Sequence, residues 1–216
     1  VSSKCEITME INPRDVSRGY LESLKEIGVN RFSFGIQSSL PALRNLIGRG
    51  GEMSQVENAL LEASKTGIPF GMDFIYGLPS QNEGQLEKDL DFVEKFSPAH
   101  VSFYELDVRP ETVLASKKLV YPKEEDIVKM YQKICRRLKN LGYEHYEFSN
   151  WAKSGSYCRH NLDFWQNNDY LGIGASAVSF VNGRGLENIA DVKGFIEKTA
   201  NDNPSYFSVK KYNKKH

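Results

Sequence analysis

Four short apolar runs, each separated from the next by a stretch long enough to hold a helix, limit what this chain can fold into more than any other feature. Residues 7–11 are strand-like and end at Asn12-Pro13. A helical pattern follows, with Val16, Tyr20, Leu24 and Ile27 on one face and Gly28 as its stop. Residues 31–36 make the second run. A short helix is expected over 41–47, then a longer one headed by the capping box Ser54-x-x-Glu57 and ended by Gly67. Residues 70–75 make the third run, closed by Tyr76-Gly77-Leu78-Pro79. A helix carrying Leu86, Leu90 and Val93 leads to the fourth, residues 101–106. Crossovers of this length demand parallel neighbours, because hairpins use only a few residues. The fold class is α/β. An open doubly wound sheet and a segment of a β/α barrel both satisfy the pattern.

Beyond a soft boundary near residue 110 the rhythm lapses. Residues 1–110 form the βα part, and 111–216 a smaller C-terminal α+β appendage. After a loop over 111–118, Pro122 opens a long helix with Ile127, Met130, Ile134 and Leu138 inward and Gly142 as its stop. An aromatic, irregular segment from Tyr143 to Tyr170 comes next. It leads to a small-residue turn over 171–175, a strand over 177–181 and a helix over 191–198 capped by Asp191. The chain opens at Val1 without an initiator Met and stops at His216 soon after that helix, which reads as an interior piece of a longer protein.

Composition closes off several functions. Lys and Arg number 28, as do Asp and Glu, so the net charge is zero and gives no electrostatic case for nucleic acid or acidic lipid. No apolar run approaches the ~18 residues of a membrane span. Cys5, Cys135 and Cys158 form neither a disulfide framework nor a CxxC knuckle, which makes a reducing cytoplasm the expected location.

The residues able to carry chemistry cluster at strand ends. Glu10, Gln37, Asp73 and Glu105 each lie at or near the end of a run. In β/α architectures that is the ligand-binding end. The Glu, Gln and Asp of the first three strands either converge on one mouth, suited to hydroxyls or amines of a small ligand, or simply face solvent. Gly48-Arg49-Gly50-Gly51 lacks the Lys-Ser/Thr of a phosphate loop, and Gly172-x-Gly174 lacks the third glycine of a dinucleotide fingerprint. No Gly-x-Ser-x-Gly occurs. His100, His145, His160 and His216 form no HxH or HxxxH pair. His100 is expected in a surface loop, and His145 to pack or bond locally. His160 stands in a loop beside Phe164 and Trp165. There it either ligates haem iron, with the rings against the porphyrin, or is hydrogen-bonded inside an aromatic cluster.

Taken as a set, these segments resemble the radical-SAM family of oxygen-independent coproporphyrinogen III oxidase, most closely its haem-chaperone branch, HemW. The resemblance runs from about residue 6 to 198. Glu6-Ile-Thr-Met-Glu10-Ile-Asn12-Pro13 is similar to the family's third-strand motif, and Asn30-Arg31-Phe-Ser33-Phe-Gly35-Ile-Gln37-Ser38 to its fourth. Asp73-Phe-Ile-Tyr76-Gly77-Leu78-Pro79 with Gln81 resembles the fifth, and Val101-Ser102-Phe-Tyr104-Glu105-Leu106 the sixth. Tyr143-Glu144-x-Tyr146-Glu147-Phe-Ser149-Asn150 and Cys158-Arg159-His160-Asn161 are similar to the region after the barrel.

The resemblance implies a partial (β/α)6 barrel, of which this chain supplies the last four βα units. It places Glu10, Gln37, Arg49 and Asp73 against S-adenosylmethionine, and His160, Asn161 and Trp165 against haem. The family's Cys-x3-Cys-x2-Cys motif is absent here, so a [4Fe-4S] cluster is expected only with a further N-terminal segment. The branch's His-Asn-x-x-Tyr-Trp reads His160-Asn161-Leu-Asp-Phe164-Trp165, and a later histidine of the branch is Val178. Three functions are thereby implied: a chaperone delivering haem to a client protein, a coproporphyrinogen III oxidase using S-adenosylmethionine and a cluster, or a non-catalytic degraded homologue. A barrel that begins at its third strand leaves that strand as an unprotected edge, so the chain alone is expected to associate there or to need a preceding segment for solubility.

Overall fold

The computed structural model describes residues 5–201 and, for the backbone alone, 206–211. Both chain ends, including His216, lie outside the described residues. Four strands, β1 (Thr8–Ile11), β2 (Arg31–Gln37), β3 (Phe70–Tyr76) and β4 (His100–Glu105), pair in chain order, and all are parallel. The helices between them are α1 (Tyr20–Glu26), the short α2 (Pro41–Leu46) with α3 (Met53–Thr66), and α4 (Glu83–Phe96).

Across these four strands the order never reverses, so they hold no switch point and are wound in one direction. Its two faces differ accordingly. Phe32, Phe34 and Ile36 of β2, Met72 and Phe74 of β3, and Val101 and Phe103 of β4 point to one side. There they pack with Leu21 and Leu24 of α1, Val56 and Leu60 of α3, and Leu86 and Leu90 of α4. Full burial of each such side chain contributes about 1.5–3 kcal/mol. The alternate residues Glu10, Arg31, Ser33, Gly35, Asp73, His100 and Ser102 take the opposite face by the strand period of two. One apolar face under helices and one polar face mark a barrel segment, which resolves the choice that the βα rhythm left open.

After the loop over 111–118, α5 (Glu124–Asn140) buries Met130, Ile134 and Leu138 in the same core. A hairpin of β5 (Glu144–Glu147) and β6 (Asn150–Ala152) then joins the sheet antiparallel to β4, giving the order β1-β2-β3-β4-β6-β5. The chain therefore separates into compact units at 1–157 and 158–216, not near residue 110. The βα rhythm stops at 110 while the core does not. The second unit holds α6 (Arg159–Trp165), β7 (Val178–Val181), β8 (Arg184–Asn188), α7 (Val192–Ala200) and β9 (Tyr206–Lys211), with an antiparallel β7-β8-β9 sheet. Asn182-Gly183, both at positive φ, make the two-residue turn of its first hairpin. Asp191 caps α7 by accepting from Gly194 N at 2.6 Å, as expected.

Other local readings change. Ser54 already lies inside α3, whose N-cap Glu52 makes no side-chain bond; the capping box of this fold is Asn82 with Gln85, at α4. Helix α1 starts only after Gly19 in the left-handed region, so Leu21 is buried while Ile27 is 75% exposed. His100 sits in β4 and is only 2% exposed, far from the surface loop expected for it. His160 belongs to α6, not to a loop.

Candidate cofactor cleft and an exposed aromatic helix

The polar face of the first unit is organised around Asp73. Ser33 Oγ of β2 and Ser102 Oγ of β4 donate to its two carboxylate oxygens at 2.7 and 2.6 Å. Burial pushes the Asp73 pKa up. The two hydroxyls and the Arg31 charge oppose that rise, while the Glu10 charge adds to it. Glu10 pairs in register with Ser33, so its carboxylate stands on the same face. An amine or hydroxyl arriving here would find two acceptors, and a cation would draw Asp73 into its ionised form.

Gln37 shares the parity of Ser33 and Gly35, and the strand is distorted just before it. Between Gly35 and Gln37 the β2–β3 register shifts, leaving Ile36 as the extra residue, and Gln37 has φ 68°. Such bulges re-aim side chains at functional ends of sheets. The Gln37 amide folds back over Gly35, where an added Cβ would lie 2.9 Å from Nε2. Glycine at 35 thus keeps open the space that the amide occupies. Arg49 lies exposed in the loop between α2 and α3, its backbone N–H donating to Arg44 O at 2.8 Å. Glu105, a strand-end acid like the others, sits on the opposite parity of β4 and leaves this group.

Behind the cleft, Asp89 of α4 is fully buried. It accepts from Ser39 N at 2.5 Å, Ser39 Oγ at 2.7 Å, Ser38 Oγ at 3.0 Å and Gln81 Nε2 at 3.4 Å. It therefore ties the loop after β2 to the loop after β3. Burial lifts its pKa to about 6 against the pull of these donors. His100 closes the floor of the face. Its Nε2 bonds Tyr146 Oη at 2.7 Å, and burial, helped by Arg31, depresses its pKa to about 3, so the ring is neutral. His145 stacks on Trp151 at 4.3 Å with Nε2 3.2 Å from Phe148 O, the packing role expected.

Ser33, Ser102 and Arg31 were missed as site residues, although their signal was present. In Arg31-Phe-Ser-Phe-Gly-Ile-Gln37 polar and small residues alternate with apolar ones, the mark of a strand with one polar face.

In the second unit, α6 carries His160, Asn161 and Trp165. Helical spacing puts Phe164 four residues on, over the His160 face, and pairs Trp165 with Asn161 instead. Phe164 and Trp165 are 51% and 57% exposed and meet edge to face at 6.3 Å. Phe164 also touches Tyr170, which stacks on Phe180.

Cys5, Cys135 and Cys158 belong to the start of the chain, to α5 and to the N-cap of α6. Among the described residues no three His, Cys, Asp or Glu side chains group as metal ligands, so the described cysteines do not fit an iron–sulfur cluster. Glu10, Asp73 and the Gln37 amide offer acceptors and a donor of the kind that hydroxyls and an amine would meet.

Residues 1–93 match the Radical SAM superfamily. The chain is 37% identical over 186 residues to the heme chaperone HemW of Buchnera aphidicola subsp. Schizaphis graminum, covering 85% of this chain and 50% of that protein. It is a HemW-like radical-SAM chain. With the HemW of Bacillus subtilis the HemW-like chain shares 34% identity over 204 residues, covering 92% of itself and 54% of the relative. It spans about half the length of these curated relatives. Among solved structures, the chain is similar to the coproporphyrinogen III oxidase HemN of Escherichia coli, a radical SAM enzyme, with TM-score 0.84 and 20% identity, over 98% of this chain and 52% of that one. That likeness shows the fold. No helix among the described residues is long and apolar enough to cross a membrane.

Proposed function

We propose that the HemW-like chain is part of a haem chaperone, which binds haem at α6 and passes it to a client protein, with the S-adenosylmethionine cleft of its barrel segment as scaffold. The observation that carries this reading is the exposed aromatic helix: His160, Phe164 and Trp165 stand uncovered on one seven-residue element. Haem is a large apolar plane with an open axial position. Exposed rings supply affinity by burial, and the imidazole supplies the axial nitrogen. Phe164, one turn from His160, covers the porphyrin next to the ligand, and Trp165 extends the apolar surface. Asn161 orients its neighbour, as groups beside a ligating histidine commonly do. The hydroxyl that Phe164 lacks costs about 0.5–1.5 kcal/mol if it had a partner. The relatives' names, heme chaperone HemW, support the same reading.

In the cleft, Glu10 and Asp73 would accept from ribose hydroxyls or the methionyl amine of S-adenosylmethionine. Gln37 would bond a polar edge, and the guanidinium of Arg49 would pair with the methionyl carboxylate. These residues bind and orient; the described residues hold no cluster, and no chemical step is assigned to them.

Haem titration followed at the Soret band tests the proposal. Wild type should saturate with a low-spin spectrum. His160→Ala should lose that spectrum with unchanged far-UV circular dichroism, and Phe164→Ala should weaken binding while keeping the ligation. A full low-spin spectrum in His160→Ala removes His160 as ligand. Absence of saturable binding by wild type ends the chaperone reading for this chain.

A further inference from the structure

Arg44 is a cation in the wrong place for a stable fold. It lies in α2 at 1% exposure, and among the described residues no carboxylate pairs with it. Its Nε has no hydrogen-bond partner there. Burial, with the like charges of Arg14 and Arg49, lowers its pKa. A leucine or methionine of similar reach would avoid the desolvation cost altogether.

What Arg44 does hold is the distorted end of β2. Its Nη1 donates to Ile36 O, the carbonyl of the residue that the bulge leaves out of the ladder. The next residue is Gln37, in the left-handed region, with its amide folded over Gly35. On its other side the Arg44 carbonyl accepts from Arg49 N at 2.8 Å and Ile47 N at 3.3 Å, anchoring the turn that carries Arg49. The guanidinium of one buried residue therefore holds the backbone directly before Gln37, while its carbonyl closes the turn that leads to Arg49. We infer that Arg44 is a positioning residue of this cleft, fixing Gln37 through its guanidinium. The inference rests on the reading of the cleft as the S-adenosylmethionine site.

The test compares wild type, Arg44→Leu, Gln37→Ala and the double variant in the 216-residue chain. S-adenosylmethionine affinity is measured by calorimetry, and the Gln37 side-chain amide by nitrogen-15 NMR without ligand. Arg44→Leu should keep its melting temperature within a few degrees, shift the Gln37 amide resonance and weaken affinity about tenfold. In the Gln37→Ala background the same change should cost no more than about threefold, because the side chain through which it acts is already gone. A folded Arg44→Leu with an unmoved Gln37 resonance and an affinity within twofold of wild type overturns the inference. If Arg44→Leu does not fold, Arg44→Met carries the same expectations. No binding by wild type would overturn the cofactor reading instead, and the ligand-free resonance tells the two failures apart.

Discussion

Asp89→Asn should remove a specific piece of the pH dependence of stability. Asp89 is fully buried, and its pKa stands at about 6 against an ordinary 3.8. Between those two values the folded chain holds a proton that the unfolded chain has released. Stability is therefore greatest below about pH 4, falls as pH rises through 6, and levels off above. Two units correspond to about 3 kcal/mol. Asparagine is neutral throughout and keeps one oxygen for Ser39 N and Oγ. It turns an amide toward Gln81 Nε2, whose own oxygen is already engaged by Leu78 N at 3.1 Å. That mismatch costs about 1 kcal/mol. The variant should thus be less stable than wild type at pH 4 and more stable by roughly 1–2 kcal/mol at pH 7, the curves crossing in between. Urea unfolding followed by circular dichroism at pH 4, 5, 6 and 7 measures this. Asp73, whose pKa is also raised, titrates in both proteins and cancels in the difference. Parallel stability curves from pH 4 to 7 would refute the reasoning.

Gly35→Ala should cost under about 1 kcal/mol, since its φ is ordinary and the clash falls on a mobile amide. It should nevertheless displace Gln37 and weaken S-adenosylmethionine binding, read by thermal melting and calorimetry on the same variant. Arg137→Ala removes the α5 cation that meets Glu87, Asp91 and Glu94 of α4 at 3.2, 3.0 and 2.7 Å. The expected loss is roughly 1 kcal/mol at low salt, shrinking near about 0.5 M NaCl, in urea titrations at both ionic strengths. Among the described residues β1 lies at the edge of its sheet and pairs with β2 alone, so the 216-residue chain should self-associate. Light scattering that shows a stable monomer would count against that expectation.

The sequence by itself determined the strands, the helices between them and their parallel order. Apolar runs of strand length joined by helix-length crossovers leave only a parallel direction for these four strands. It also placed Glu10, Gln37 and Asp73 at strand ends, where Glu10 and Asp73 share the polar face by register alone. Tertiary structure decided the rest, because the deciding contacts join residues far apart in the chain. The four parallel strands make a barrel segment because their order never reverses. The first unit runs to Tyr157 because β6 pairs with β4 across a loop that looks like a boundary. His100 is buried because Tyr146, 46 residues later, covers it. Gln37 has the parity of the polar face, but the ladder bulges at Ile36 just before it, and Arg44 donates to the Ile36 carbonyl there. Periodicity sees the spacing of side chains along one element; it does not see a carbonyl left without a partner, nor the distant donor that reaches it.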